Sequence, residues 1–338
     1  MTTSARFRFS ARRRRALFTL AATGCGPMLA GLAGATEVAT GGWPARPLRL
    51  LCPLGAGTSA DGVARLVARG LGDALGQAVI VENRPGAATN IASELAARAP
   101  ADGYTLLFGT SSLAILPATA GARAIDAVEA FAPVSILTTQ PVMIAAHPSF
   151  KGSNFADIVR MAKEQPETIA FSTSGIGGVG HLTAAWAMNR ANIKLVHIPY
   201  TATRALTDVL SGQVPLAFSF PGTVLPLIRA GQMKGIAVTG LKRLDAAPEI
   251  PTLDESGLPG FDVSNWMGIL TPAGTPADIV ARLHRELVQV MATPEVQSRL
   301  RGLAFDIVAG TPAEFAQTLR QETSRWKSVV AAAGLRFE

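Results

Sequence analysis

Two loops in this chain combine glycines with hydroxyls just ahead of a helical pattern. Pro53-Leu54-Gly55-Ala56-Gly57-Thr58-Ser59-Ala60-Asp61 follows an apolar run, and Ser172-Thr173-Ser174-Gly175-Ile176-Gly177-Gly178-Val179-Gly180-His181 has the same design later on. Glycine permits tight turns and close backbone approach. The free N–H groups that open a helix, together with its dipole, favour an anion. Two more loops are rich in hydroxyls: Gly109-Thr110-Ser111-Ser112, and Pro199-Tyr200-Thr201-Ala202-Thr203 ahead of a helix containing Asp208. Ligands of open α/β sheets sit beyond the carboxyl ends of strands, which is where such loops lie. The candidate contacts are Leu54, Gly57, Thr58, Ser59, Ala60 and Asp61 from the first loop. The second supplies Ser172, Ser174, Gly175, Gly178 and His181. The others supply Thr110, Ser111, Tyr200 and Thr201.

These residues do not assemble into familiar catalytic patterns. No Gly-x-Ser-x-Gly elbow is present. His147, His181, His197 and His284 show no metal-ligand spacing. No Walker lysine follows either glycine-rich loop, and Gly175 to Gly180 lacks the dinucleotide setting. Ser174, His181 and Asp61 can be drawn as a triad, but nothing in their spacing supports one. A hydrolase or isomerase using Ser174 and His181 is the alternative to a binding protein. No cofactor or metal is expected.

The elements that position these loops follow from periodicity. Leu48 to Pro53, Ala78 to Val81 and Tyr104 to Phe108 read as strands, with helical patterns over 61–75 and 90–98 between them. This βαβαβ order implies parallel strands with helices on both faces. The rhythm restarts with strands at 142–146, 169–172, 195–198 and 216–220, and helices at 155–164, 181–192 and 205–210. A Pro-, Gly- and acid-rich connection, 241–262, leads to a last strand at 266–270 and helices at 276–291 and 312–332. Two α/β lobes result, 44–137 plus 263–338 and 138–262, with a cleft between them and two chain crossings as its hinge.

With 338 residues and 48% apolar side chains, each lobe can hold its own core. The net charge of +7 is local, because Arg6, Arg8, Arg12, Arg13, Arg14 and Arg15 open the chain. Without them 25 basic residues face 24 acidic ones, and no basic patch with interleaved aromatics points to nucleic acid. The arginine run 12–15, an apolar stretch from Ala16 to Leu32 and Ala33-Gly34-Ala35 form an export leader, 1–35, with the cut after Ala35. Arg14-Arg15-Ala16-Leu17-Phe18 resembles a twin-arginine signal; Cys25 as a lipoprotein cysteine is the lesser alternative, since Ala22 stands where leucine is usual. No later stretch reaches the ~18 continuous apolar residues of a membrane span. Cys52, the one cysteine left after the cut, lies in an apolar run and reads as a buried small hydrophobe.

Several strings occur in order: Val81-Glu82-Asn83-Arg84-Pro85-Gly86-Ala87, Asp102-Gly103-Tyr104-Thr105-Leu106-Leu107, Phe131-Ala132-Pro133-Val134, Val196-His197-Ile198-Pro199-Tyr200 and Pro272-Ala273-Gly274-Thr275-Pro276. On these the chain resembles the Bug family, periplasmic solute receptors of tripartite tricarboxylate transporters, from Trp43-Pro44 to Gly334. The resemblance implies a two-lobed type II periplasmic-binding fold with a hinged cleft. It implies a small organic anion, a di- or tricarboxylate or a related acid, held by amides, hydroxyls and waters. Transporter membrane subunits or a sensor protein would be the partners. Thr58, Thr201-Ala202, Arg204 and Ser219 depart from the family pattern, which has glycine, Lys-Gly, a small neutral residue and commonly an acid there. Arg204 and Ser219 therefore join the candidate contacts, with the expectation of a more acidic ligand.

Overall fold

The computed structural model describes residues 42–121, 124–200 and 204–337. The leader, its cut after Ala35 and Thr201 lie outside the described residues. The first strand, β1 (Leu48–Cys52), is buried except at Arg49. It leads to α1 (Ser59–Leu75), whose Val63, Ala64, Val67, Ala68, Leu71 and Leu75 recur at helical spacing and are buried. Thr58 caps α1 by accepting the Asp61 N–H at 3.2 Å, and Gly76, at φ 67°, ends it. Two more strands, β2 (Val79–Asn83) and β3 (Thr105–Thr110), flank β1 in parallel and are connected through α2 (Asn90–Ala97).

After α3 (Ser112–Thr119) and α4 (Ala127–Ala130), the long β4 (Phe131–Pro141) pairs antiparallel with β10 (Ser264–Pro272), which also pairs antiparallel with β3. With β11 (Asp306–Ile307) the sheet order is β11-β4-β10-β3-β1-β2, mixed rather than wholly parallel. The helices α9 (Ala277–Ala292) and α10 (Pro294–Gly302) complete this layer. Leu283 and Leu287 of α9 join Val67 and Leu71 of α1 in one buried cluster, where each side chain contributes about 1.5–3 kcal/mol by leaving water. Cys52 lies in the same cluster, wholly buried, and burial pushes its thiol pKa up.

The second sheet runs β7-β6-β8-β5-β9. Its strands are β5 (Met143–Ala146), β6 (Ala170–Thr173), β7 (Val196–Pro199), β8 (Leu216–Ser219) and β9 (Lys234–Val238). The helices are α5 (Phe155–Glu164), α6 (Val179–Ala191), α7 (Arg204–Leu210) and α8 (Pro221–Arg229). Here too three parallel strands, β7, β6 and β8, are closed by an antiparallel neighbour, β5. The molecule is thus a two-lobed α/β protein.

The chain passes between the sheets at Val142 and again between β9 and β10, and Thr239 ties the two passages together. Its N–H donates to Val142 O (3.0 Å) and its hydroxyl accepts the Val142 N–H (2.9 Å). The same hydroxyl donates to Val263 O (2.7 Å), while Thr239 O accepts the Val263 N–H (2.9 Å). The last helix, α11 (Pro312–Ala332), opens with a capping box at Thr311 and Glu314. It packs Phe315 on Trp266 of β10 and Trp326 on Trp186 of α6, so it touches both lobes. Among the described residues no helix is long and apolar enough to cross a membrane.

Candidate functional site

The loop between β1 and α1 is built around one carboxylate. Asp61 is 4% exposed. Its Oδ2 accepts the Gly57 N–H (2.9 Å) and Arg65 Nε (3.0 Å), and its Oδ1 accepts Asn83 Nδ2 (2.8 Å). Asn83 also donates to Leu54 O (2.9 Å) and accepts from Arg65 (2.9 Å). Burial alone would raise the pKa of Asp61, but the bonds from Arg65, Asn83 and Gly57 outweigh it and hold the carboxyl at about 2. Gly57 sits at φ +82° with open space where a Cβ would go, so glycine is needed for the turn, not for clearance.

The loop between β6 and α6 rests on uncharged rings. His181, on α6, accepts the Gly177 N–H at Nδ1 (3.1 Å). Its ring stacks on His197 of β7, with centroids 3.9 Å apart and planes 12° apart. His197 stacks in turn on Phe171, and Phe337 meets His181 edge-on. Thr173 donates to Gly175 O (3.0 Å), so its oxygen accepts from His197 Nε2 (2.7 Å). Burial lowers both imidazole pKa values; for His197 burial and then the neighbouring His181 bring it to about 4. Both rings are therefore neutral at neutral pH. Gly178 caps α6 without any side-chain hydrogen bond, so the first N–H groups of α6 have no side-chain cap. Gly180 brings this helix end close to β8, because a Cβ there would stand 3.0 Å from Phe218 O.

A cavity of about 360 Å³ lies where these loops meet. Ser59 lines it from the first lobe, at the start of α1. Ser172 and Ser174, Gly180, Ala205 and Leu206 at the start of α7, the β8 residues Ala217, Phe218 and Ser219, and Phe220 and Thr223 at the start of α8 line it from the second, beside Val142. The N-termini of α1, α6 and α8 thus open on one space, with the first turn of the short α7 beside them. The Ser172 hydroxyl is buried here and has no hydrogen-bond partner. Among the described residues no acidic or basic side chain lines the cavity, and no group of His, Cys, Asp and Glu is placed to hold a metal.

Of the sequence candidates, Ser59, Ser172, Ser174 and Ser219 come together in this wall. Leu54, Gly57, Thr58, Ala60 and Asp61 shape the first loop, and Gly175, Gly178 and His181 the second. The bond from Gly177 and the stack on His197 occupy His181, and no described hydrogen bond joins it to Ser174 or Asp61. Thr110 and Ser111 are buried at the end of β3, where the Ser111 hydroxyl donates to Asn265. Tyr200 N–H donates to Thr173 O (3.0 Å), and a hydrogen bond with Asp208, followed by burial, raises its phenol pKa. Arg204 is exposed and does not line the cavity. Sequence reasoning missed Val142, Gly180, Ala205, Leu206, Ala217, Phe218, Phe220 and Thr223 as contacts. Phe220 and Thr223 belong to α8, which Pro221, Gly222 and Pro226 disguise as a loop, although proline at the first helical position is favourable.

Comparison with known proteins covers nearly the whole described chain. Residues 63–335 match the family described as "Tripartite tricarboxylate transporter family receptor". The protein BugT of Bordetella pertussis is 30% identical over 307 residues, covering 90% of this chain and 94% of the relative. The structure of periplasmic binding protein BugD is 30% identical with a TM-score of 0.74, covering 88% of this chain and all of that one. MatC from Rhodopseudomonas palustris with bound malate is 28% identical with a TM-score of 0.74, covering 85% of this chain and all of that one.

Proposed function

The chain belongs to the Bug family, the periplasmic receptors of tripartite tricarboxylate transporters, and from that premise we propose that it captures a small organic carboxylate between its lobes. One observation carries the reading: an uncharged cavity onto which three helix N-termini open, with the Ser172 hydroxyl buried and unpaired in its wall. A carboxylate supplies the acceptors that those N–H groups and hydroxyls lack. Ordered water can bridge the remaining distance nearly as well as a direct bond. Malate bound to the related MatC supports the same chemistry.

In this reading the lobes are 44–137 with 263–338, and 138–262, and they close about Val142 and Thr239. Ser59 lies on one lobe and Ser172 on the other, so a ligand touching both favours the closed form over the open one. The leader exports the chain, by the twin-arginine route or the general one, and the cut after Ala35 frees it in the periplasm. There it hands its ligand to membrane transporter subunits or to a sensor. The test is native purification followed by mass spectrometry of what the protein carries, with scattering before and after ligand removal. An organic acid and a more compact bound form are expected. A cationic or wholly neutral ligand, or identical scattering curves, would contradict the proposal.

A further inference from the structure

Resting on the reading above, we infer that the cavity selects a monocarboxylate with an apolar body and no ammonium group, of the size of benzoate or hexanoate. Charge sets the first limit. The described wall offers no lysine, arginine or histidine, so the helix ends must balance the ligand. Each contributes roughly half a unit of positive charge. The ends of α1, α6 and α8 open on the cavity beside the first turn of the short α7, and in α1 the Asp61 carboxylate in the first turn offsets part of that positive charge. What remains compensates one carboxylate better than two. The Ser172 hydroxyl marks where one anion is met, because it is fully buried and has no other partner.

Ammonium is excluded on separate grounds. A bound cation needs a carboxylate or a ring of carbonyls, and no acid lines the described wall. Asp61, the nearest carboxylate in the chain to Ser59, is already bonded to Gly57, Arg65 and Asn83. Asp208 is engaged with Tyr200. Ser219 occupies the wall position at the end of β8 and brings only a hydroxyl.

The rest of the wall describes the body of the ligand. Val142, Leu206, Ala217, Phe218 and Phe220 present carbon. A polar tail set against them would lose its water without replacement bonds, whereas a ring or alkyl chain gains from contact. The volume, about 360 Å³, is roughly a dozen water shares of ~30 Å³. An acid the size of benzoate fits with several waters around its carboxylate. Arg204, the residue that suggested a more acidic ligand, is exposed and outside the wall.

Calorimetric titration of the purified chain with benzoate, hexanoate, adipate and phenylalanine tests this. The better of the two monocarboxylates should bind at least tenfold more tightly than adipate and than phenylalanine. A margin below tenfold against either one overturns the selectivity while leaving the carboxylate site standing. Absence of binding by every carboxylate overturns the receptor reading and the selectivity with it. Ser219→Asp supplies a second measurement, with folding checked by circular dichroism. It should weaken the better monocarboxylate at least tenfold and raise the affinity for phenylalanine relative to it. An unchanged ratio would show that the wall does not set the choice.

Discussion

The loop before α1 and the loop before α6 both deliver a helix N-terminus to the cavity, yet different forces hold them. The first hangs on a buried carboxylate bonded to an arginine, an asparagine and a backbone N–H. The second rests on two stacked neutral imidazoles and a phenylalanine. The functional requirement, a helix start on the cavity with no charged side chain in the described wall, is met in both, although Thr58 caps α1 and no side chain caps α6. What differs is the chemistry behind the loop, and so the conditions under which each loop fails.

The largest effect should come from removing the carboxylate. Asp61→Ala leaves Gly57, Arg65 and Asn83 without their shared acceptor. Chemical denaturation should show a loss of about 2–4 kcal/mol, below the extreme for a buried pair because Arg65 is half exposed. A loss under about 0.5 kcal/mol, the ordinary size for a surface substitution, would mean that the loop does not depend on Asp61. Thr239→Val comes next. It strips the hydroxyl shared by Val142 and Val263 and should cost about 1–3 kcal/mol. Each loop should keep its own hydrogen-exchange protection, since the damage lies between the lobes. Loss of protection in either loop would show that the passages and the loops are not independent.

Acid should then separate the two loops. The folded-state pKa of His197, about 4, lies below its ordinary 6.5, so its stabilising contribution is complete above 6.5 and is lost as pH falls towards 4. The contribution of Asp61 is complete above 3.8 and is lost only as pH falls towards 2. Between pH 7 and 4.5, exchange protection should fall at 174–178 and hold at 54–58. His197→Phe keeps a stacking ring without a proton site and should flatten that fall. Parallel loss in both loops would break the comparison. Salt should have the smallest effect and the opposite target. Raising it to 1 M screens the Arg65–Asp61 pair and should weaken the first loop by at most ~0.5–1 kcal/mol, leaving the second unchanged.

Much of this was legible in the sequence because backbone requirements leave strong traces. Glycines and hydroxyls ahead of an apolar helical period marked both loops, and four serines marked there or by family resemblance meet in the cavity. The supports behind the loops were not legible. Asn83 lies 22 residues from Asp61, and His197 lies 16 from His181, so only the parallel pairings of β2 and β7 bring them into reach. The bonds that Asp61 and His181 make within their own loops were equally hidden, because a polar residue near a glycine-rich turn serves the turn or the ligand equally well on spacing alone. The helix α8 was hidden by its prolines, and with it Phe220 and Thr223. The antiparallel insertion of β10 between β3 and β4 was hidden as well, since a strand pattern does not carry its direction.

The most direct measurement is a crystal structure of the chain with the ligand it retains through native purification. It should show one carboxylate within hydrogen-bonding distance of the Ser172 hydroxyl and of backbone N–H groups at the starts of α1 and α6, directly or through one water, with no charged side chain in contact. A ligand seated outside this cavity, or a carboxylate gripped by Arg204 or another side-chain cation, would contradict it.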